Sequence, residues 1–139
     1  MLNFYILLQP VENNISKNNI KCICYNIGLG YGTKRIKVDI SNNMIKPAIN
    51  DQTTMKIDKL DNYKIDADII KIDVEGFEVE VLKGGLNTIK NAKTIIIETH
   101  SKDLQIKVAK LLSGIGFKME KKIQNYLAKN VRIEYWSKT

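Results

Sequence analysis

Three carboxylates follow an apolar segment in the middle of the chain. Asp73 ends the run Ile69-Ile-Lys-Ile72, and Glu75 and Glu78 flank Gly76 just beyond it. Carboxylates at a strand end serve as general bases or as ligands, and open α/β sheets bind ligands outside the carboxyl ends of their strands. Acids also favour a helix N-terminus, which accounts for Glu75 or Glu78 but less well for Asp73. The pattern therefore indicates a candidate site.

The one histidine of the chain follows a second apolar segment. His100 lies just after the run Thr94-Ile-Ile-Ile-Glu98. A histidine beside a carboxylate can act as a general base with an orienting acid. Facing Asp73 from a neighbouring strand end, the same residues can instead supply part of a divalent metal site. Both roles stay open at this point, beside a purely structural one.

The pattern of apolar residues predicts the elements that would position these side chains. Strands are predicted at residues 4–8, 21–27, 35–40, 54–57, 68–73, 94–98, 117–123 and 131–137. Helices are predicted at residues 12–18, at 77–90 with an interruption at Gly84-Gly85, and from the N-cap Ser101 to Gly114. Residues 41–53 are polar and contain Pro47, which predicts a loop.

Strands that alternate with helices predict one α/β domain over residues 1–139 with a mostly parallel sheet and a C-terminal antiparallel hairpin. The nearly continuous apolar run before Asp73 is typical of a strand covered on both faces. Two other features are better explained by structural roles than by ligand binding. The segment Gly28-Leu-Gly-Tyr-Gly32 precedes a strand rather than a helix, which favours a hairpin turn over a phosphate-binding loop. Cys22 and Cys24 lack zinc-site spacing and read as buried thiols.

Charge and hydropathy limit the other function classes. The formal net charge is +7, but the basic residues are mostly dispersed lysines, with only Arg35 and Arg132 as arginines. A nucleic-acid surface needs clustered basic residues, so no nucleic-acid partner is expected. No secretory signal is evident and no run approaches the ~18 apolar residues of a membrane span. We therefore expect a cytoplasmic protein without a membrane span, in which a homo-oligomer could cover the exposed sheet edge.

The stretch Lys71-Ile-Asp-Val-Glu-Gly-Phe-Glu-Val-Glu-Val-Leu-Lys-Gly84 resembles the signature of the FkbM family of S-adenosylmethionine-dependent methyltransferases. The strand that ends in Glu98-Thr-His100 is similar to the next strand of that family. Leu111-Leu-Ser-Gly-Ile-Gly-Phe117 resembles the segment before the last hairpin, and Ile6-Leu-Leu-Gln-Pro10 resembles the family's second strand. The resemblance extends over roughly residues 4–136.

This resemblance implies a class I, Rossmann-like methyltransferase sheet and methyl transfer from S-adenosylmethionine to an oxygen of a sugar, glycan or other small polar acceptor. It makes Asp73 and His100 the candidates for a catalytic base or metal ligand. Glu75 and Glu98 would orient them or bind the acceptor. Gln9, where the family has an acid, would contact the cofactor's ribose. Whether the reaction uses a divalent metal is left open by the resemblance.

The chain also departs from the family pattern. The family's opening strand and glycine loop, Asp-x-Gly-Ala-x-x-Gly with its helix, have no counterpart before Phe4, so the resemblance implies an N-terminally truncated domain. The alternative function is therefore a non-catalytic remnant or fragment of such an enzyme that acts as an interaction module.

Overall fold

The computed structural model describes residues 17–18, 21, 23, 25, 27–41, 44–47, 53–125, 128 and 130–138. The chain forms two compact units. The first comprises residues up to Gly28 together with Lys34–Ile57, and the second comprises Leu29–Thr33 together with Asp58–Thr139. The predictions on Phe4 to Leu8, Gln9, Cys22 and Cys24 lie outside the described residues.

The first sheet has the order β1-β4-β2-β3, with strands Gly28–Leu29 (β1), Lys34–Ser41 (β2), Met44–Pro47 (β3) and Thr54–Asp58 (β4). β2 pairs antiparallel with both β3 and β4. Two predictions fail here. The loop predicted at 41–53 contains β3, whose Pro47 ends an edge strand, where its missing N–H is tolerated. Residues 28–32 form a turn but no hairpin, because β4 lies between β1 and β2.

The second sheet has the order β5-β6-β8-β7, with strands Ile69–Ile72 (β5), Thr94–Thr99 (β6), Phe117–Gln124 (β7) and Arg132–Lys138 (β8). β5 and β6 are parallel, whereas β6 with β8 and β8 with β7 are antiparallel. The predicted C-terminal hairpin is confirmed. The described part of the sheet is mixed rather than mostly parallel.

The two parallel strands differ in how well they are covered. β6 alternates between half-buried and buried residues, and Ile95 and Ile97 are fully buried. In β5, Ile72 is buried but Ile69 is 64% exposed. The prediction of a strand covered on both faces is therefore wrong for the start of β5, which pairs only with β6 among the described strands.

Three helices belong to the second unit: Glu78–Gly84 (α1), Leu86–Asn91 (α2) and Lys102–Gly114 (α3). The predicted interruption after Gly84 and the predicted Ser101 cap are both present, and Ser101 Oγ accepts a hydrogen bond from the Leu104 N–H at 3.2 Å. The helices and the sheet enclose one apolar core, which comprises Ile72, Val81, Leu82, Ile89, Ala92, Ile95, Ile97, Val108, Leu112, Phe117 and Trp136. Among the described residues, no helix is long and apolar enough to cross a membrane.

A close backbone approach explains the glycine at the end of α1. A Cβ atom on Gly84 would lie 1.9 Å from the carbonyl oxygen of Gly30, a distance at which the backbone itself would have to move. Gly30 in turn donates its N–H to the Asp58 carbonyl at 3.0 Å. The glycines in this region therefore allow tight packing of backbone on backbone.

A turn with a buried acid follows β4. The residues 58–63, called here the Asp58 turn, include a 3-10 helix at Leu60–Tyr63. Asp58 is 5% exposed, and its carboxylate accepts hydrogen bonds from Thr33 Oγ1, the Lys59 N–H, Asn62 Nδ2 and Tyr63 Oη at 2.7–3.2 Å. This turn is therefore held together by a carboxylate whose two oxygens both have partners.

The same turn also supports the start of α2. The Asp61 carboxylate accepts hydrogen bonds from the backbone N–H groups of Asn87 and Thr88 at 3.1 and 2.9 Å. These N–H groups belong to the first turn of a helix and have no partner within it. Burial by itself raises the pKa of Asp61, but the hydrogen bonds from Thr88 and Asn87 outweigh it, so the pKa is lowered from 3.8. Asp61 thus acts as an N-terminal cap from outside the helix.

Candidate functional site

The parallel pairing of β5 and β6 brings the two predicted clusters together. Ile69 pairs with Thr94 and Ile72 with Ile97. Asp73 directly follows β5, and Glu98 and His100 lie at and just beyond the end of β6. The carboxyl ends of parallel strands meet at one edge of a sheet, so residues that are 25 apart in sequence converge. We call Asp73, Glu75, Glu78, Glu98 and His100 the strand-end cluster.

A tight turn between β5 and α1 presents the acids of this cluster. Glu75 and Gly76 both have a positive φ, of 50° and 102°. A left-handed conformation costs little for glycine but is uncommon for a residue with a Cβ, and such outliers concentrate at functional sites. The turn reverses the chain between Ile72 and Phe77, so that Glu75 and Glu78 both reach His100.

Glu78 and His100 form the shortest contact in the strand-end cluster. The distance between Glu78 Oε1 and His100 Nδ1 is 2.7 Å. Glu78 is fully buried, and its Oε1 also accepts a hydrogen bond from the Gly76 N–H at 3.0 Å. Its other oxygen, Oε2, is buried and has no hydrogen-bond partner among the described residues.

The second ring nitrogen of His100 faces the other acids. Nε2 lies 3.3 Å from Glu75 Oε2 and 4.0 Å from Glu98 Oε1. Burial by itself lowers the pKa of His100, but the hydrogen bond with Glu78 and the negative charges of Glu75, Glu78 and Glu98 outweigh it, so the pKa is raised above 6.5. His100 is therefore a proton acceptor whose protonated form is stabilised by its neighbours.

Asp73 completes the cluster from the end of β5. Its Oδ2 lies 3.1 Å from Lys71 Nζ, and both side chains are at least one-third exposed. Asp73, Glu75 and His100 each offer a ligand atom, and these atoms lie within 4.8 Å of one another. Imidazole and carboxylate ligands suit several divalent transition metals, so among the described residues this trio has the donor set for such an ion.

The structure brings together four of the five residues that the sequence made candidates, namely Asp73, Glu75, Glu98 and His100. Gln9 lies outside the described residues. The residue that sequence reasoning undervalued is Glu78, which reads as an ordinary acid at a helix start. Its spacing could have indicated burial. Residues three and four positions apart lie on the same face of a helix, and Glu78 shares its face with the buried Val81 and Leu82 of α1.

The family comparison matches this part of the chain. The profile of the Methyltransferase FkbM domain matches residues 46–119, more than half of the chain, and this span contains every member of the strand-end cluster. The chain belongs to the FkbM methyltransferase domain family. The resemblance seen in the Lys71–Gly84 stretch is thereby confirmed.

One curated protein of similar sequence is the hexuronic acid methyltransferase AglP of Haloferax volcanii. The FkbM-family chain described here is 44% identical to it over 45 residues, which is 32% of this chain and 19% of that protein. The match thus spans about a fifth of the length of that relative. No solved structure matches the chain.

A separate open cavity of about 420 Å³ lies elsewhere in the second unit of this FkbM-family chain. It is lined by Asp61, Lys64, Ile65, Asp66, Asn87, Thr88 and Asn91. None of these residues belongs to the strand-end cluster. The Asp61 carboxylate within the cavity already accepts hydrogen bonds from the first turn of α2, so it has a structural role there.

Proposed function

We propose that the chain carries an S-adenosylmethionine-dependent O-methyltransferase activity of the FkbM type, acting on a sugar or another small polar acceptor. Membership of the family supports methyl transfer. The name of the relative AglP supports a hexuronic acid or a related sugar as the acceptor class. The observation that carries the proposal is the convergence of His100, Glu75, Glu98 and Asp73 at the end of a parallel strand pair.

His100 is the proposed base. An acceptor hydroxyl must lose its proton as its oxygen takes up the methyl group, and Nε2 of His100 would receive that proton. The imidazolium formed would be stabilised by Glu75, whose Oε2 lies 3.3 Å from Nε2. A base whose pKa lies near the working pH is the most effective in this role. The remaining catalysis comes from holding the acceptor oxygen in line with the methyl group.

The acids around His100 would hold the acceptor. Glu98 is half-buried, whereas Asp73 and Glu75 are more exposed, and the carboxylates of Glu75 and Glu98 lie within 4.0 Å of Nε2. Carboxylates accept hydrogen bonds from several sugar hydroxyls at once. We propose that Glu98 and Asp73 orient the acceptor while Glu75 stabilises the protonated ring.

S-adenosylmethionine, when bound, supplies a methyl group that is already activated by a positively charged sulfur. The carboxylates of the strand-end cluster suit that charge, because negative groups such as Glu75 stabilise a positively charged group nearby. Gln9 remains the proposed contact of the ribose hydroxyls. An amide side chain can both donate and accept there, although it lacks the charge of an acid.

A metal-dependent variant of this reaction would use the same atoms. Asp73, Glu75 and His100 would hold the ion, and Nε2 would then no longer accept a proton. The contact of Asp73 with the Lys71 ammonium favours the base mechanism, since a cation already neutralises that carboxylate. We therefore expect transfer to continue in the presence of EDTA. A loss of transfer that Mn²⁺ restores would instead assign the cluster to a metal.

Isothermal titration calorimetry with S-adenosylmethionine tests the function most directly. The folded chain is expected to bind at micromolar to millimolar affinity, and then to transfer radiolabelled methyl groups to a hexuronic acid or to a matched neutral hexose. A folded chain that releases no heat at millimolar S-adenosylmethionine would contradict the proposal. That outcome would favour the alternative of a non-catalytic remnant or fragment that serves as an interaction module.

A further inference from the structure

The environment of Glu78 is costly for a carboxylate that serves the fold alone. Glu78 has no exposed surface, and its Oε2 has no hydrogen-bond partner among the described residues. Burying a carboxylate is unfavourable unless partners compensate it, and an unpaired buried polar atom adds its own desolvation cost. A glutamine could accept the Gly76 hydrogen bond without burying a charge, so packing by itself does not call for a carboxylate here.

The compensation that Glu78 does receive is directed at His100. Its Oε1 accepts from the Gly76 N–H at 3.0 Å and lies 2.7 Å from His100 Nδ1. An ionised carboxylate can only accept hydrogen bonds, so the contact with Glu78 favours a ring proton on Nδ1. In the neutral imidazole the lone pair is then on Nε2, the nitrogen that faces Glu75 and Glu98.

We propose that Glu78 is the positioning residue of the site: its buried carboxylate holds His100 in the Nδ1–H tautomer and turns the lone pair of Nε2 towards the acceptor. Glu75 and Glu98 cannot do this, because both approach Nε2 rather than Nδ1. The proposal rests on the proposed function for its catalytic meaning, although the tautomer itself does not depend on any reaction.

The other charged groups near the ring differ from Glu78 in position and in exposure. Glu75 reaches Nε2 from the turn and Glu98 from β6, while Asp73 is paired with Lys71 at the end of β5. Each of these acids is at least partly solvated, whereas Glu78 is not. The shorter and fully buried contact of Glu78 with Nδ1, 2.7 Å against 3.3 Å for Glu75 with Nε2, favours Nδ1 as the nitrogen that keeps its proton in the neutral ring.

Long-range ¹H–¹⁵N NMR of the full chain is the decisive measurement, since His100 is its one histidine and gives an unambiguous signal. At a pH above the pKa of His100, the parent is expected to show predominantly the Nδ1–H tautomer. A parent spectrum dominated by the Nε2–H tautomer would overturn the proposal without any variant.

Glu78→Gln supplies the second readout, with Glu80→Gln as the matched control. Glu80 lies in the same helical turn but is about half exposed and pairs with Lys83. An amide can donate to Nδ1, so E78Q is expected to shift the tautomer population towards Nε2–H, to lower the pKa of His100 and to reduce kcat by about 10²-fold, with KM for S-adenosylmethionine unchanged. E80Q should match the parent in all four measurements.

The role of Glu78 and the base role of His100 can be refuted independently of each other. If E78Q left the tautomer and the pKa of His100 as in the parent, the role of Glu78 would be refuted, whatever the activity. If the parent showed the Nδ1–H tautomer and E78Q lost it while His100→Asn transferred methyl groups at the parent rate, Glu78 would be upheld as the residue that positions His100 and the base role of His100 would be refuted.

Discussion

The Asp58 turn and the strand-end cluster each contain a buried carboxylate, but the two carboxylates differ in their hydrogen-bond partners. Asp58 accepts hydrogen bonds from at least four donors, and both of its oxygens have partners. Glu78 has one oxygen between His100 and Gly76 and a second oxygen without a partner among the described residues. The first arrangement is typical of a structural acid, whereas the second keeps a titratable ring in one orientation.

The backbone does not distinguish the two regions, because Glu75 has a φ of 50° and Lys64, which caps the 3-10 helix of the Asp58 turn, has a φ of 49°. The surroundings of the acids do differ: the strand-end cluster exposes carboxylates near a histidine whose pKa is raised. The described donors to Asp58 are a hydroxyl, an amide, a phenol and a backbone N–H. The comparison teaches that burial alone does not distinguish a functional acid from a structural one, whereas the hydrogen-bond partners of the acid do.

The largest effect is expected for His100→Asn. Removing the proposed base should lower the rate of methyl transfer by about 10²- to 10⁴-fold, with a melting temperature within about 3 °C of the parent. Asp73→Asn is the matched comparison and should lose about tenfold, because Asp73 positions the acceptor through hydrogen bonds that asparagine can partly replace. A radiolabel transfer assay on both variants checks the order. Equal losses would show that the two residues act as one unit.

Asp58→Ala should have the next largest effect, on stability rather than on transfer. It leaves several donors without an acceptor, and each buried unsatisfied group costs about 1–3 kcal/mol, so we expect a loss of about 3 kcal/mol in the free energy of unfolding. Urea denaturation measures it. Glu78→Gln should cost less than about 1 kcal/mol by the same assay, and a cost equal to that of Asp58→Ala would abolish the distinction between the two regions.

Asp61→Asn should destabilise the chain at neutral pH by no more than about 1 kcal/mol, the usual cost of losing a helix N-cap altogether, because the amide removes the charge and one of two acceptor oxygens but keeps the other. The pKa of Asp61 is lowered in the folded protein. Its contribution is therefore present above 3.8 and is lost as the pH falls through the folded pKa. Denaturation curves of parent and variant should converge under acidic conditions. Asp66→Asn, at an exposed acid of the same cavity, is the control and should follow the parent throughout.

The smallest effect is expected for the stability contribution of His100, and it has the opposite sign. The pKa of His100 is raised in the folded protein, so its contribution is complete below 6.5 and is lost as the pH rises through the folded pKa. The difference in unfolding free energy between the parent and His100→Asn should shrink over that range. A difference that grew with pH would mean that the ring is held in its neutral form.

Much of the fold could be predicted because local patterns decide it. The alternation around Val38 predicts β2, the stripe from Leu104 to Leu112 predicts α3, and Ser101 predicts where that helix begins. The strand at Met44–Pro47 was missed because its residues carry no clear alternation, and pairing with β2 supplies the stabilisation that propensity does not. The direction of pairing in the second sheet was also only partly predictable, since the apolar residues of β5 and β6 suit either direction and the residues of β8 do not show which strand it joins.

The sequence by itself determined the family, the acids at the end of β5 and the histidine at the end of β6, because motif spacing and strand ends are local properties. Only the tertiary structure decided which acid serves the histidine. Glu75, Glu78 and Glu98 are equivalent carboxylates in the sequence, and the packing of α1 against the sheet buries one of them against Nδ1 and leaves the others near Nε2. Hydrogen bonding depends on tenths of an ångström and on solvent exclusion, and the folded chain alone determines both.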